Sequence, residues 1–465
     1  MGVCHVKLTP SNVQGMTMPT LATAVASADV TGVLIVVLMS LAVIYLASRL
    51  GGEICARFDL PPVLGELLAG AVVGISVLHL VVFPEGGVTA QDSLLMQAVQ
   101  PFLHLSPEVW EATFAAEGEV VSVLSELGVI ILLFEIGLES NLQELLRVGV
   151  QAALVAVIGV TVPFVAGTLG LMYLFHVPMI AAIFAGAALT ATSIGITAKV
   201  LAELQQLSSS EGQVILGAAV LDDILGIIIL AVVASLVKTG EVEIGRVVYL
   251  IVGAAVFLVG SVLVGRLLSP WFVGLVNNMK TRGSLLIMAL ILMLVLSVIG
   301  AAIQLEAILG AFTAGLILSE TERQQDLEEQ VMPLADFFVP LFFVCVGART
   351  DFSVFNPAIP ANREGLVLAG FLVVVAIVGK VASGLGVGWG GEKLNRLAVG
   401  VGMIPRGEVG LVFAAAGASS GALSEALDAG IVVMVILTTF MAPPLLRLVF
   451  PSRTTVPTAE PHVSA

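Results

Sequence analysis

The chain has 465 residues, 58% of them hydrophobic and only 11% Asp, Glu, Lys or Arg, against roughly a quarter charged in soluble globular proteins. A soluble fold is excluded. The net charge of −15 comes with no basic cluster interleaved with aromatics, so nucleic-acid binding is excluded as well.

Residues 1–29 read as an N-terminal tail and 451–465 as a C-terminal tail around a membrane domain at 30–450. Within it the apolar residues come in blocks of about twenty, the length a helix needs to cross about 30 Å of hydrocarbon, with none of the period-two alternation of a barrel. In chain order the blocks fall at 31–49, 61–82, 120–138, 148–174, 178–199, 212–237 and 246–268. They continue at 283–303, 306–319, 332–348, 365–388, 394–418 and 427–449. The expectation is therefore an all-α membrane protein of about 13 transmembrane helices, with the short block 306–319 needing buried or re-entrant help to cross. The acid is concentrated between the blocks, chiefly at 84–126 and 320–329, and reads as loop character. Cys4, Cys55 and Cys345 lack metal-ligand spacing and read as ordinary thiols. His79, His104 and His176 fall at outer helix ends or in the outer loop and read as solvated.

Twelve Lys and Arg residues lie on loops of one parity and five on the other, which puts the N-terminus outside and the C-terminus in the cytoplasm. Two sequence echoes connect the halves. Val63-Leu64-Gly65 through Ala69-Gly70 resembles Ile308-Leu309-Gly310 through Ala314-Gly315, and Ile136-Gly137-Leu138 resembles Val346-Gly347-Ala348. The displacement is seven helices, an odd number, so two six-helix repeats are inverted relative to each other, as in many secondary transporters with a midplane site.

Few polar residues break the blocks, and each is costly at that depth. Asp222 and Asp223 sit near the centre of 212–237, where each carboxylate adds about 2.5–3.5 kcal/mol to insertion. Adjacent helical residues point about 100° apart, so one can face an ion cavity and the other a neighbouring helix. Lys380, inside 365–388, is the natural partner. An Asp–Lys pair satisfies both charges and can work as a proton switch, because a desolvated ammonium can release its proton when its carboxylate is taken by a cation. Thr190-Ala191-Thr192-Ser193 with Gly195, and Ile404-Pro405-Arg406-Gly407-Glu408, interrupt two further blocks. Proline lacks the amide hydrogen and glycine tolerates unwound backbone, so both read as helix breaks, discontinuous and at equivalent places in the two halves. Broken ends expose half-dipoles that bind ions or are neutralised by charges such as Arg406 and Glu408, for which structural ion pairing is the alternative. Glu66 and Glu135 lie inside or near the edges of blocks without an assigned role.

Four motifs then resemble one family: Ala-Leu-Thr-Ala-Thr-Ser at 188–193, Leu-Asp-Asp-Ile-Leu-Gly at 221–226, Gly-Lys at 379–380 and Met-Ile-Pro-Arg-Gly-Glu-Val-Gly at 403–410. In that order they are similar to NapA-type sodium/proton antiporters of the second monovalent cation:proton antiporter family, over roughly 31–450. The resemblance implies that Asp223 carries the cation (Na+) and proton, that Asp222 pairs with Lys380, and that Thr192 and Ser193 lie where two broken helices cross. It also implies a homodimer with a mobile core, about 120–237 and 332–449, and a dimerisation part from the remaining helices. No cofactor is expected beyond the transported ions, and no nucleophile–base constellation indicates an enzyme. The outer segment 84–119 is longer and more acidic than the family loop. Potassium/proton exchange on the same scaffold and a gated cation channel are the alternatives. The expected membrane is the plasma membrane, with a thylakoid or other organellar membrane as the other choice.

Overall fold

The computed structural model describes residues 28–85, 87–239, 243–388 and 394–450. Among them every regular element is helical. In chain order these are α1 (Val30–Arg57), α2 (Pro62–Val73), α3 (Leu94–Leu103), α4 (Pro107–Glu139), α5 (Leu142–Arg147) and α6 (Gly149–Leu174). Next come α7 (Met179–Ala188), α8 (Ile194–Glu203), α9 (Ser210–Thr239), α10 (Ile244–Asn278), α11 (Ser284–Ala302) and α12 (Ala307–Leu318). The chain ends with α13 (Gln324–Ala348), α14 (Pro360–Ser383), α15 (Arg396–Gly402), α16 (Glu408–Ser419) and α17 (Glu425–Val449). Nine of these are long and apolar enough to span a membrane. Polar residues start several of them: Asp29, Asn141, Asn395 and Ser424 each accept a backbone N–H from the first turn, satisfying donors that a helix start leaves open.

Hydrogen bonds and ion pairs between loops define two ends of the bundle. At one end Arg447 meets Asp59 at 3.7 Å, Ser210 Oγ donates to Glu144 at 3.0 Å, and the Asn395 N–H donates to Glu211 at 3.0 Å. This end also holds Arg57, Arg147 and Arg396 and is called the basic end below. At the opposite end Ser76 Oγ donates to the Thr350 carbonyl and Arg349 to Ser122.

The helices sort by packing into two groups. A scaffold contains α1, α2, α4, α11, α12 and α13; a second bundle contains α6–α9 and α14–α17. Helices α4 and α13, which fall within the core range expected from sequence, pack chiefly on α1, α2 and α12. In the scaffold the two sequence echoes become one contact made twice. Gly70 of α2 faces Gly347 of α13, where an added Cβ would strike the Val344 or Leu67 carbonyl. Gly315 of α12 faces Gly137 of α4, where a Cβ would strike the Phe134 or Phe312 carbonyl. Each short helix of one half thus crosses a long helix of the other at glycine, the close approach that drives helix association where apolar burial alone does not. Helix α12 has twelve residues and is buried from Ile308 to Leu318. It can be short because its ends meet protein and not lipid.

The acidic outer segment is more ordered than its loop-like composition suggested. Residues 107–119 form the start of α4, and α3 precedes them. Met96, Val99, Trp110 and Phe114 pack with Val36 of α1 as a small core. Glu117 is buried and accepts a hydrogen bond from Ser40 Oγ at 2.7 Å, so the expectation of solvated loop acid fails there: apolar neighbours continue the helix outward past the hydrophobic block. Arg349 closes this cap, with its guanidinium 3.8 Å from the Phe83 ring centroid and 3.3 Å from Glu85. His79, His104 and His176 all take left-handed backbone, φ 51, 48 and 54, and His104 ends α3.

The glycine crossings make a stability prediction. Gly315→Ala should destabilise the protein by about 1–3 kcal/mol, the cost of overpacking. Gly253→Ala on α10, whose Cβ would meet open space, should be neutral or stabilising by up to about 1 kcal/mol. Thermal unfolding in detergent measures both.

Candidate functional site

The site is built on α9, which packs against α7, α8, α15 and α16, as does α17. Asp222 and Asp223, near the middle of α9, are almost wholly buried. Lys380, one turn from the end of α14, is fully buried too, and its Nζ lies 2.9 Å from Asp222 Oδ2. The lysine therefore stays at depth instead of reaching for the membrane surface. Gly159 of α6 lines its side chain, where a Cβ would lie 3.5 Å from Lys380 Nζ, at ordinary contact distance. Ser383 Oγ donates to the Lys380 carbonyl at 2.6 Å. The two aspartates divide as their 100° separation requires: Asp222 is committed to Lys380, and Asp223 points elsewhere on the same helix.

Both expected breaks are present. Helix α7 stops at Ala188 and α8 starts at Ile194; α15 stops at Gly402 and α16 starts at Glu408. The intervening segments cross and bond to one another. The Ser193 N–H donates to the Pro405 carbonyl at 2.9 Å, and Thr192 Oγ1 to the Met403 carbonyl at 3.1 Å. Thr197 Oγ1 donates to the Gly402 carbonyl at 3.0 Å, and Thr439 Oγ1 of α17 to the Arg406 carbonyl at 2.5 Å. Gly407 packs directly on Ser193, where a Cβ would come within 2.8 Å of Oγ. Thr190 bonds only locally, to the Ala187 carbonyl.

Arg406 is fully buried at this crossing. It donates to the Leu189 carbonyl at 2.6 Å and to the Met403 and Ile404 carbonyls at 3.3 and 3.4 Å. Those carbonyls end α7 and α15, so one guanidinium neutralises the negative ends of two half-helices. Arg406 thus caps carbonyls at the crossing. The Glu408 side chain lies outside the described residues; its backbone opens α16. The positive ends of α8 and α16 begin beside Ser193 and Gly407. Ser193 Oγ is buried and makes no hydrogen bond among the described residues, whereas the Thr192 hydroxyl is committed to backbone.

Sequence reasoning missed Thr197 and Thr439. Thr197 stands one helical turn past Ser193, on the face that the break already directs toward the crossing, a spacing that could have found it. Thr439 carries no local signal, because α17 is uninterrupted. No cluster of three or more His, Cys, Asp or Glu side chains suited to a resident metal occurs among the described residues.

Residues 35–450 match the transmembrane sodium/hydrogen exchanger family. The chain belongs to that family. It is 65% identical over 434 residues to the high-affinity Na+/H+ antiporter NhaS3 of Synechocystis, covering 93% of this chain and 94% of that protein. It is 31% identical over 416 residues to the Na+/H+-K+ antiporter GerN of Bacillus cereus, covering 88% and 95%. Among solved structures, the sodium proton antiporter MjNhaP1 of Methanocaldococcus jannaschii superposes with a TM-score of 0.58 at 15% identity, covering 90% of this chain and 99% of that one. At that identity the likeness establishes the shared exchanger fold.

The buried pair predicts a double-mutant result. Lys380→Met and Asp222→Leu should each destabilise the exchanger by about 3–5 kcal/mol, because each strands a buried charge, and the double variant should cost much less than their sum. Unfolding midpoints of the four proteins in detergent give the coupling.

Proposed function

We propose that this chain is a secondary antiporter that exchanges sodium for protons by alternating access, with Asp223 as the carrier. The observation that carries the reading is the buried Asp222–Lys380 pair at 2.9 Å, whose aspartate lies on the helix that packs against both interrupted helices. Asp223 alternates between a proton and a cation. Ser193 Oγ, which makes no hydrogen bond among the described residues, and the positive half-helix ends complete a hard-oxygen environment for a small monovalent cation. Thr192 and Arg406 hold the crossing in shape. The ions are substrates, no cofactor takes part, and no covalent chemistry is involved.

Lys380 acts as the switch. When the cation arrives, Asp222 turns to it, Lys380 releases a proton as Asp223 releases another, and two protons exchange for one cation. That exchange moves net charge, so the membrane potential contributes about 2.3 kcal/mol per elementary charge per 100 mV. The α6–α9 and α14–α17 bundle is the moving core and the scaffold is the fixed part, through whose apolar outer surface two copies associate. The basic end faces the cytoplasm, in a plasma membrane. A second reading, potassium in place of sodium, is favoured by the GerN relative, whose name includes both cations.

Two measurements on proteoliposomes test this. Asp223→Asn should fold normally and lose exchange completely, since an amide cannot alternate between proton and cation; sodium, lithium and potassium pulses with a pH dye read the loss and rank the cations. Retained exchange in a well-folded Asp223→Asn protein would remove the carrier assignment. Clamping the potential with potassium and valinomycin, with sodium as substrate, should accelerate wild-type exchange in one direction, and Lys380→Gln should weaken or remove that response. A wild type indifferent to potential would make exchange electroneutral and Lys380 purely structural.

A further inference from the structure

Half-helix α8 leaves the crossing at Ser193 and runs to the basic end along the seam between scaffold and core. Its first turn is sealed by apolar contact: a Cβ on Gly195 would lie 3.4 Å from Phe342 of α13 and from Val129 of α4. One turn further the seam becomes ionic. Lys199 and Glu203 lie one turn apart on α8, and the Val63 N–H of α2 donates to Glu203 Oε1 at 3.2 Å, joining the two bundles directly. On the scaffold side stand Glu66 of α2 and Glu135 and Glu139 on successive turns of α4. Lys199 stands one turn from Gly195 and one turn from Glu203, on the face of α8 that meets α4 and α2, where its charge faces Glu66, Glu135, Glu139 and Glu203.

Glu66 also accepts from Ser48 Oγ at 3.0 Å and lies within reach of Arg49. Even so, Glu66 Oε2 and Glu203 Oε2 are buried without a hydrogen-bond partner among the described residues. Beyond this cluster a cavity of about 330 Å³, lined by Glu139, Glu328 and residues of the α8–α9 turn, opens the seam toward the basic end. Without Lys199, Glu203 on the core would face Glu66, Glu135 and Glu139 on the scaffold, backed by Glu328 and Asp336 of α13, with only Arg49 as a nearby cation among the described residues. Like charges held at such range, away from bulk water, repel across the surface on which the bundles must slide.

We propose that Lys199 is an ionic latch: shared among the scaffold carboxylates, its ammonium holds α8 against α2 and α4 and keeps the route from the basic end to Ser193 and Asp223 closed. Cations entering the cavity screen the carboxylates and release it. The proposal rests on the alternating-access reading above, and adds the element that sets how often one side opens.

The test uses the full chain with its three cysteines replaced and Val129→Cys as reporter, reconstituted in vesicles and exposed to a membrane-impermeant maleimide from the basic-end side. Lys199→Gln should be labelled about tenfold faster than the parent, and Lys199→Arg at the parent rate. Adding Glu203→Gln to Lys199→Gln should return the rate toward the parent, because the amide oxygen still accepts from Val63 while the repulsion is gone. Choline chloride, which supplies screening without a transported ion, should speed labelling of the parent, by weakening the latch, and slow that of Lys199→Gln, by weakening the repulsion. Equal labelling of parent and Lys199→Gln would overturn the latch, as would faster labelling that neither Arg nor Glu203→Gln reverses, since that is mere loosening. Sodium/proton exchange is followed in the same vesicles. A parent with no exchange but the full labelling pattern would overturn the proposed function and leave the latch standing.

Discussion

Backbone that leaves the helix at membrane depth must find partners inside the protein, and the crossing of 189–193 with 403–407 is where this chain meets that constraint. Three hydroxyls, one amide and one guanidinium take the freed carbonyls: Thr192, Thr197, Thr439, the Ser193 N–H and Arg406. Removing the negative half-helix ends with Arg406 has a second effect. It leaves Lys380 free of them, so that the lysine answers to Asp222. Charge at the site is thus divided between an Arg406 that caps carbonyls and a Lys380 that pairs with Asp222.

The scaffold supplies the counterpart of this arrangement. Its glycine crossings bring α2 onto α13 and α12 onto α4 with backbone nearly touching backbone, and interiors so close-packed have low compressibility. Against it the core presents α8 edge-on, apolar near Ser193 and ionic near Lys199. The seam therefore has two kinds of contact in series, one insensitive to salt and one governed by it.

Much of this could be read from the residues. Carboxylates and an ammonium inside apolar blocks have no inexpensive structural explanation, so Asp222, Asp223 and Lys380 announce themselves; Pro405, Gly407 and the Thr-Ser run announce the breaks. The glycine echoes pointed to inverted halves, though not that the matched glycines would pair across them. What stayed hidden depends on where helices pass each other. Glu117 looks like loop acid because its apolar surroundings come from α1 and the 79–103 segment, distant in sequence. That Arg406 caps the end of α7 stays hidden until Leu189, 217 positions away, is placed beside it. Lys199 counts as one more basic residue near a helix end, because the carboxylates that give it meaning are on α2 and α4.

Helices α9 and α17 each pack against all four half-helices, holding corresponding places in the two inverted halves. Near their middles α9 carries Asp222 and Asp223, and α17 carries Thr438 and Thr439. The two equivalent positions thus carry different chemistry. One holds the carboxylates proposed to carry the ion; the other holds hydroxyls, and Thr439 donates to the Arg406 carbonyl. A descendant with acids on both would place four carboxylates around one crossing, a charge that a single buried Lys380 and Arg406 could not balance. The asymmetry of the site is thus a condition for the symmetric scaffold to exist in a membrane at all.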